Sequence, residues 1–495
     1  MNAGDVSTPE SPCPQLLQNS DEPTQWELER TSLAVAQAED HIAMLDRQLP
    51  EQKDARDKLL GFVLNHRRVL SPIRRLPSEM WQEVFLHLKP EIQHSCTSHN
   101  LLFPLLAVCR RWRSVLLHSS PLLWSHIHLS LNRGETNLRS INKLQGRLSV
   151  ILRASEPLPL TIILTLPTGH PGTMTILDQL LVEARRWKDI ALCLDTTHYT
   201  ALGNAPTGLF PSLSRLSIRL NECGLPPLVD TFLANLPALR YLRVKSSARA
   251  VRWEAFGARL WGSLENCLLE QCCVLDALTL LPRFAPHTQV IFLGCTSRRI
   301  GEVNDIDVDA QPSSVNTEIS EMVIKNSDLG FRVGLLMSLV APRLQKLNIS
   351  LHRQFFPALG AMLSRSGARL THLRLSNPAL RPTDFAADLL GLLSTRPART
   401  IVDLDLDLRG FVTPAGIIDM LAVPTPLAAP ELRWLTLRGC NYIKGDALAA
   451  IRANPARRNK LETVWVERGV SYLDSARELG EGRGGDGFQV RMFKG

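Results

Sequence analysis

From residue 187 onward apolar residues return in one spacing: an apolar position, two residues, a second apolar position, one residue, and a third. The triplet begins at Trp187 (WKDIAL), Leu213 (LSRLSI), Leu239 (LRYLRV) and Leu264 (LENCLL). It returns at Ile319 (ISEMVI), Leu344 (LQKLNI), Leu370 (LTHLRL), Ile401 (IVDLDL), Leu432 (LRWLTL) and Leu461 (LETVWV). A degenerate copy lies near Thr288 (TQVIFL), and successive copies fall 24 to 31 residues apart with helical or loop sequence between them. Alternation inside each copy predicts a strand with one buried face, because neighbouring strand residues point to opposite sides. The segment before the first copy, Leu144–Leu166, reads as a helix, a Pro-bounded turn and a strand.

The N-terminal part follows helical periods instead. Residues 1–23, rich in Ser, Pro, Asn and acidic side chains, are expected to form a disordered tail. Leu28, Val35, Ile42 and Leu49 then recur every seven residues, with Thr31, Ala38 and Leu45 at the companion position, which is a coiled-coil seam. Pro50 ends the pattern. Residues 28–49 leave two readings open: a homodimer, or a hairpin against the chain's own next helix, which carries Leu60, Val63 and Leu70. The short length favours the hairpin.

Between Leu70 and Leu129 three short apolar helices crowd together. Leu76-Pro77 opens the first, since Pro fits an initial helical turn, and Trp81, Val84, Phe85 and Leu88 share one face. Leu105, Val108, Cys109, Trp112 and Leu116 repeat that face in a second helix, with Arg110, Arg111 and Arg113 expected toward solvent. Ser120-Pro121 opens the third, anchored by Leu123 and Trp124. So small a segment cannot bury all this apolar surface, and a surplus marks a face meant for another protein.

The order LP-x-E (Leu76, Pro77, Glu79), apolar helix, VC-x-x-W (Val108, Cys109, Trp112) and LW-x-x-I (Leu123, Trp124, Ile127) resembles the F-box. The flanks LSPIRRLP and PLLWSHIHL resemble F-box-like proteins abundant in mushroom-forming fungi. The polar insert Lys89–Asn100 departs from the family, which has a shorter, more apolar link there. The resemblance covers residues 70–129. It implies docking on a Skp-family adaptor, and through it on a cullin, by Leu76, Pro77, Glu79, Trp81, Val84, Phe85, Leu88, Leu105, Val108, Cys109 and Trp112. Leu123, Trp124 and Ile127 would couple the module to the repeats.

The triplets in turn resemble the leucine-rich repeat, L-x-x-L-x-L-x-x-N/C, with Asn221, Cys272 and Cys440 at the N/C position. The expected fold is therefore α/β: a helical segment over 24–69, a three-helix F-box over 70–129, an irregular solenoid of parallel strands over 130–475, and a flexible tail over 476–495. Positions between the leucines would project onto a concave face. That face would carry Arg215 and Arg219, then Tyr241, Arg243 and Lys245, then Arg374, then Asp403, Asp405 and Asp407, with Trp434 and Trp465 late. Its early Arg cluster suits an acidic or phosphorylated protein segment.

Composition narrows the classes. The chain has 495 residues, 44% hydrophobic and 21% charged, which suits a soluble folded protein. No apolar run reaches the length of a membrane span, and the N-terminus lacks a secretory pattern. Ten scattered Cys fit a reducing compartment, cytosol or nucleus. A net charge of +8 is modest for this length and does not favour a nucleic-acid ligand. No catalytic motif stands out, and no metal or cofactor is expected. His126 and His128 read as a surface pair, Cys267 and Cys272 as structural, and the Gly480–Gly487 run as tail. The sequence thus points to a non-catalytic receptor that binds a protein substrate, with a scaffold lacking ubiquitin output as the alternative.

Overall fold

The structure, a computed structural model, describes residues 9–18, 22–48, 53–87, 102–131, 138–166, 172–220, 228–246, 258–297, 314–350, 355–376, 382–407, 429–440, 461–468 and 489–494. It is α/β with a large parallel sheet. Two compact units divide it: Met1–Thr165 with His170–Arg186, and Leu166–Gly169 with Trp187–Gly495.

In the first unit, α1 (Pro14–Gln18), α2 (Gln25–Gln48) and α3 (Lys53–Leu70) come first. Val35, Ala38, Ile42 and Leu45 of the heptad seam are buried against Leu59, Phe62 and Val63 of α3. The seam is thus spent inside the chain as a hairpin, which corrects the homodimer reading for residues 28–49. Leu49 and Pro50 lie outside the described residues. Part of the expected tail is ordered: Cys13 and Leu16 bury with Val69, and Ser11 Oγ meets His66 Nε2 at 2.9 Å. Two apolar side chains suffice to fix a segment whose composition is otherwise polar.

The next elements are α4 (Ser78–Leu86), α5 (Leu102–Leu106), α6 (Arg110–Ser114), α7 (Pro121–Trp124) and strand β1 (His126–Ser130). The expected continuous helix from Leu105 to Leu116 is broken at Cys109. Its backbone is extended there, and its sulfur accepts the Trp112 N–H that begins α6. A π-turn, Val115–Ser119, follows. β1 pairs in parallel with β2 (Leu160–Thr165), across α8 (Leu138–Ala154). α9 (Gly172–Val182) packs on α8, where Gln145 donates to Thr175 Oγ1 at 2.6 Å and Gln179 to Ser149 Oγ at 2.7 Å. The division between the units therefore falls later than the expected residue 130.

The second unit is built from β3 (Trp187–Leu194), β4 (Arg215–Leu220), β5 (Tyr241–Ser246), β6 (Asn266–Glu270), β7 (Gln289–Leu293), β8 (Val315–Asn316), β9 (Glu321–Lys325), β10 (Leu339–Val340), β11 (Lys346–Ser350), β12 (His372–Ser376), β13 (Asp403–Asp407), β14 (Trp434–Cys440), β15 (Thr463–Arg468) and β16 (Gln489–Lys494). Among the described residues β8 and β10 pair only with each other. The rest lie side by side in chain order, each parallel to the next.

Every triplet named from the sequence lands on a strand entry, and its described apolar positions are buried. Leu344, Leu347 and Ile349 pack behind β11 as Leu370, Leu373 and Leu375 do behind β12. The copy near Thr288 shifts by one residue. Cys267 registers with Val290 and Leu269 with Phe292, so the pattern starts at His287. Thr288 is buried and donates its hydroxyl to the Leu264 carbonyl at 2.7 Å. The expected flexible tail is corrected at its end, because Gln489–Lys494 pairs with β15 along its whole length. The free edge of β15 offers backbone groups that this strand satisfies. Gly480–Gly487 lies outside the described residues.

Arg186 holds the turn between α8 and β2. Its guanidinium donates to the carbonyls of Leu152, Ser155 and Leu158 at 3.3, 2.8 and 3.0 Å. Arg186→Met removes all three bonds, although Ser155 Oγ still donates to the Leu152 carbonyl and the Leu158 N–H to that of Ser155, and it should lower unfolding free energy by ~2 kcal/mol, read by chemical denaturation. A second expectation concerns Asp195, which caps helix Thr196–Gly203 by accepting from the His198 N–H at 3.0 Å and the Thr197 hydroxyl at 2.7 Å. Burial alone would raise its carboxyl. The Thr197 and His198 hydrogen bonds and the His198 charge outweigh burial and hold it below the usual Asp range. A lowered folded value gives stability that is present above the unfolded Asp value and is lost as pH falls through the folded one. Asp195→Asn keeps a capping oxygen but loses the charge, so it should cost up to about 1 kcal/mol at neutral pH, with the gap to the unmodified protein closing in strong acid.

Candidate functional site

Two surfaces emerge. The first lies in residues 70–129, where the apolar helices divide into an inside and an outside. Trp81, Phe85 and Trp112 form an aromatic core, with ring centroids 5.7 Å apart for Trp81–Phe85, 4.9 Å for Trp81–Trp112 and 5.3 Å for Phe85–Trp112. Trp81 is 4% exposed and Phe85 1%. This corrects their expected place on an adaptor-facing surface, since a partner cannot reach them without opening the core. The residues one position earlier on each turn face out: Met80 is 52% exposed and Val84 47%. Val108 is 57% exposed, and Ile73 is also open. Pro77 and Glu79 are exposed, while Leu76, Leu105, Cys109 and Trp112 are half-buried. Leu88 and the Lys89–Asn100 insert lie outside the described residues.

Arg111, expected toward solvent, turns inward instead. It donates to the Arg74 carbonyl and, at 2.5 Å, to the Leu76 carbonyl, and it meets Glu22 at 3.5 Å. It thereby fixes the Leu76-Pro77 turn that starts α4, whereas Arg110 and Arg113 are exposed. Leu123, Trp124 and Ile127 are buried. Trp124 donates to the Leu116 carbonyl at 2.8 Å and meets the Phe103 ring edge-on at 5.8 Å. Ile127 registers with Ile162 of β2. These three residues tie the helices to the β1–β2 pair within the same unit.

The second surface is the non-leucine face of the sheet. Register brings the expected residues into lateral lines: Arg215 beside Tyr241, Arg219 beside Lys245, Arg374 beside Asp405, Asp403 beside Trp434, and Thr436 beside Trp465. The early cluster is less bare than the sequence suggests. Glu270, which was not singled out, receives Arg243 Nε at 2.7 Å and Lys245 Nζ at 3.5 Å. Asp405 sits between Arg374 at 3.4 Å and Arg438 at 2.9 Å. The Asp403, Asp405 and Asp407 run is thus partly neutralised by its neighbours. Burial raises the Asp403 carboxyl above its usual range; His372 opposes the rise, Asp405 adds to it and Arg438 opposes it. A shallow depression of about 170 Å³ opens here, lined by Glu321, Lys346, Asn348, His372, Arg374 and Asp403 among others. The Asn348 side-chain oxygen is buried in it with no hydrogen-bond partner.

Behind β6 and β7, Cys272, Cys295 and Ser327 occupy equivalent places after three successive strands. Cys272 and Cys295 sulfurs lie 3.3 Å apart, the Cys295 thiol points at the Leu269 carbonyl at 3.6 Å, and the Cys295 N–H donates to Ser327 Oγ at 3.1 Å. Burial pushes the Cys267 thiol well up. The sequence missed Cys295 because the copy near Thr288 was counted one residue late. Counted from His287, Cys295 takes the same position as Cys272. Asn221 lies outside the described residues, as does the side chain of Cys440. His126 and His128 are half-buried on β1. Among the described residues no cluster of His, Cys, Asp or Glu is placed to hold a metal ion, and no helix is long and apolar enough to cross a membrane.

The division of α4 into core and outer residues is checkable by stability. Phe85→Ala should cost about 3–5 kcal/mol by leaving a cavity in the aromatic core, whereas Val84→Ala should stay within about 0.5 kcal/mol in the same denaturation experiment. Scanned against protein-family models and searched against curated proteins, the chain matches none.

Proposed function

We propose that the chain is the substrate-recognition subunit of a Skp–cullin–F-box type ubiquitin ligase and has no active site of its own. The observation that carries this reading is the outward apolar stripe of Met80 and Val84 on α4, together with Val108, on a subdomain whose aromatic core is already filled. Large apolar side chains that stay open after the local core is complete suit a permanent partner surface. They fall within the LP-x-E and VC-x-x-W pattern that resembles the F-box. The adaptor side then rests on Leu76, Pro77, Met80, Val84, Leu105 and Val108, with Trp81, Phe85 and Trp112 holding them in place.

The sheet of the second unit is read as an irregular leucine-rich-repeat array. The shared register of the triplets and the Cys272–Cys295–Ser327 line behind them support that reading. Its outward face holds the protein to be modified. The chain acts by proximity: binding adaptor and substrate together raises the local concentration of reacting groups that other subunits carry. The site of action is the cytosol or the nucleus.

Val84→Asp combined with Val108→Asp places charges where the partner must exclude water. The double variant should weaken binding to a purified Skp-type adaptor by about thirtyfold or more in calorimetric titration, with unfolding unchanged. Undiminished adaptor binding would refute the docking assignment. Adaptor captured without cullin would favour a scaffold that has no ubiquitin output.

A further inference from the structure

Among the described residues, the outward face of the second unit's sheet carries charge on most strands and an aliphatic patch on β6, β7 and β9. Leu268, Ile291 and Val323 succeed one another across β6, β7 and β9, with Leu293 alongside. Leu268, Ile291 and Leu293 are only half-buried. An apolar centre with a polar rim is the build of a protein interface, and here the rim has a sign. On the β4–β5 side it carries Arg215, Arg219, Arg243 and Lys245. Glu270 pairs with the last two, and Asp189 stands beside Arg215 on β3. Arg215 lies over the Tyr241 ring at 5.9 Å, and both Arg215 and Arg219 are exposed. Positive charge is therefore in surplus next to the apolar centre, and such a rim selects an acidic partner.

We infer that this part of the face binds an extended segment of a partner protein bearing Asp or Glu, with its apolar side chain on the half-buried Leu268, Ile291 and Leu293, beside the buried Val323, and its carboxylates on Arg215 and Arg219. Geometry sets the spacing. Adjacent strands lie about 4.8 Å apart, so β4 and β6 are separated by roughly 10 Å. An extended chain advances ~3.3 Å per residue and spans that distance in about three residues. The acidic side chains thus precede or follow the apolar anchor by about three positions. The inference deepens the receptor reading and rests on it for the identity of the segment as substrate, but its chemistry makes no use of residues 70–129.

The test uses the full chain and a short fluorescein-labelled peptide carrying Glu-Glu, a Gly-Ser spacer and Leu-Val, followed by anisotropy at low salt. Replacing Glu by Lys in the peptide, or moving the Glu pair well away from Leu-Val, should weaken binding roughly tenfold or more. Arg215→Glu with Arg219→Glu, and separately Ile291→Asp, should do the same. Arg215→Gln with Arg219→Gln should give an intermediate loss, with thermal unfolding unchanged for these exposed positions. Equal binding of the Glu and Lys peptides, or of the unmodified and charge-reversed proteins, would overturn the inference. So would binding confined to a phosphoserine version of the peptide, which would reassign the cations to phosphate. Val84→Asp with Val108→Asp should leave peptide binding intact, so failure of the adaptor reading and failure of this one are distinguishable.

Discussion

The second unit depends on the register that keeps apolar triplets aligned from strand to strand. A parallel strand cannot satisfy its own backbone groups, and its buried side chains need neighbours at the same height. A slip of one residue would turn every leucine outward. Pairing runs without a slip from Asp189 beside Arg215 to Thr463 beside Gln489, except for an irregularity between Arg438 and Cys440. The copies fall 24 to 31 residues apart while the strand pairs keep one register, so the variation in spacing lies between the strands. This explains how an irregular array keeps one continuous buried face.

The same constraint fixes the outward face. Since each strand leaves its alternate positions outside, whatever occupies them is arranged in lateral lines by register alone. Neighbouring charges of opposite sign then meet about one strand apart, as in Arg243–Glu270, Lys346–Glu321 and Arg374–Asp405. The Lys346–Glu321 and Arg374–Asp405 pairs, open to solvent on the cation side, contribute little to stability, whereas Glu270 is buried and depends on its cations. Their larger effect is to decide where net charge remains. Parallel sheets are usually covered on both faces, so the exposed and half-buried outward positions here make this sheet unusual.

The strands were legible in the sequence because a period of two inside a repeat of fixed composition leaves few alternatives. Near Thr288 it was not enough: Val290, Ile291, Leu293 and Phe292 are all apolar, so two registers satisfy the pattern, and only pairing with Cys267 and Leu269 decides. In α4 the sequence showed an apolar face but not its division, because Met80, Trp81, Val84 and Phe85 form two adjoining stripes. Ring packing on Trp112 selects which turns in. Arg111 was illegible for a different reason. Its carbonyl partners at Arg74 and Leu76 are far along the chain, and a helical wheel places it simply on the polar side. The heptad of α2 was readable as a seam, but the partner was decided by proximity: α3 follows after a short link, and an intrachain helix needs no second molecule.

These cases separate what each candidate surface needs. On the helices of residues 70–129, Met80, Val84 and Val108 are the apolar residues that the aromatic core leaves outside. Enlarging or shrinking that core would move Met80 and Val84 with it, because α4 is a single rigid turn sequence between them. On the sheet, by contrast, the outward residues are held by backbone register and not by packing against one another. Leu268 and Arg215 point away from the face on which Cys267, Leu269, Leu216 and Ile218 are buried. The first surface is therefore positioned by the packed rings of Trp81, Phe85 and Trp112, whereas the second is positioned by backbone register. On the receptor reading proposed above, a constant partner would meet the surface set by core packing and a variable partner the surface set by strand alternation.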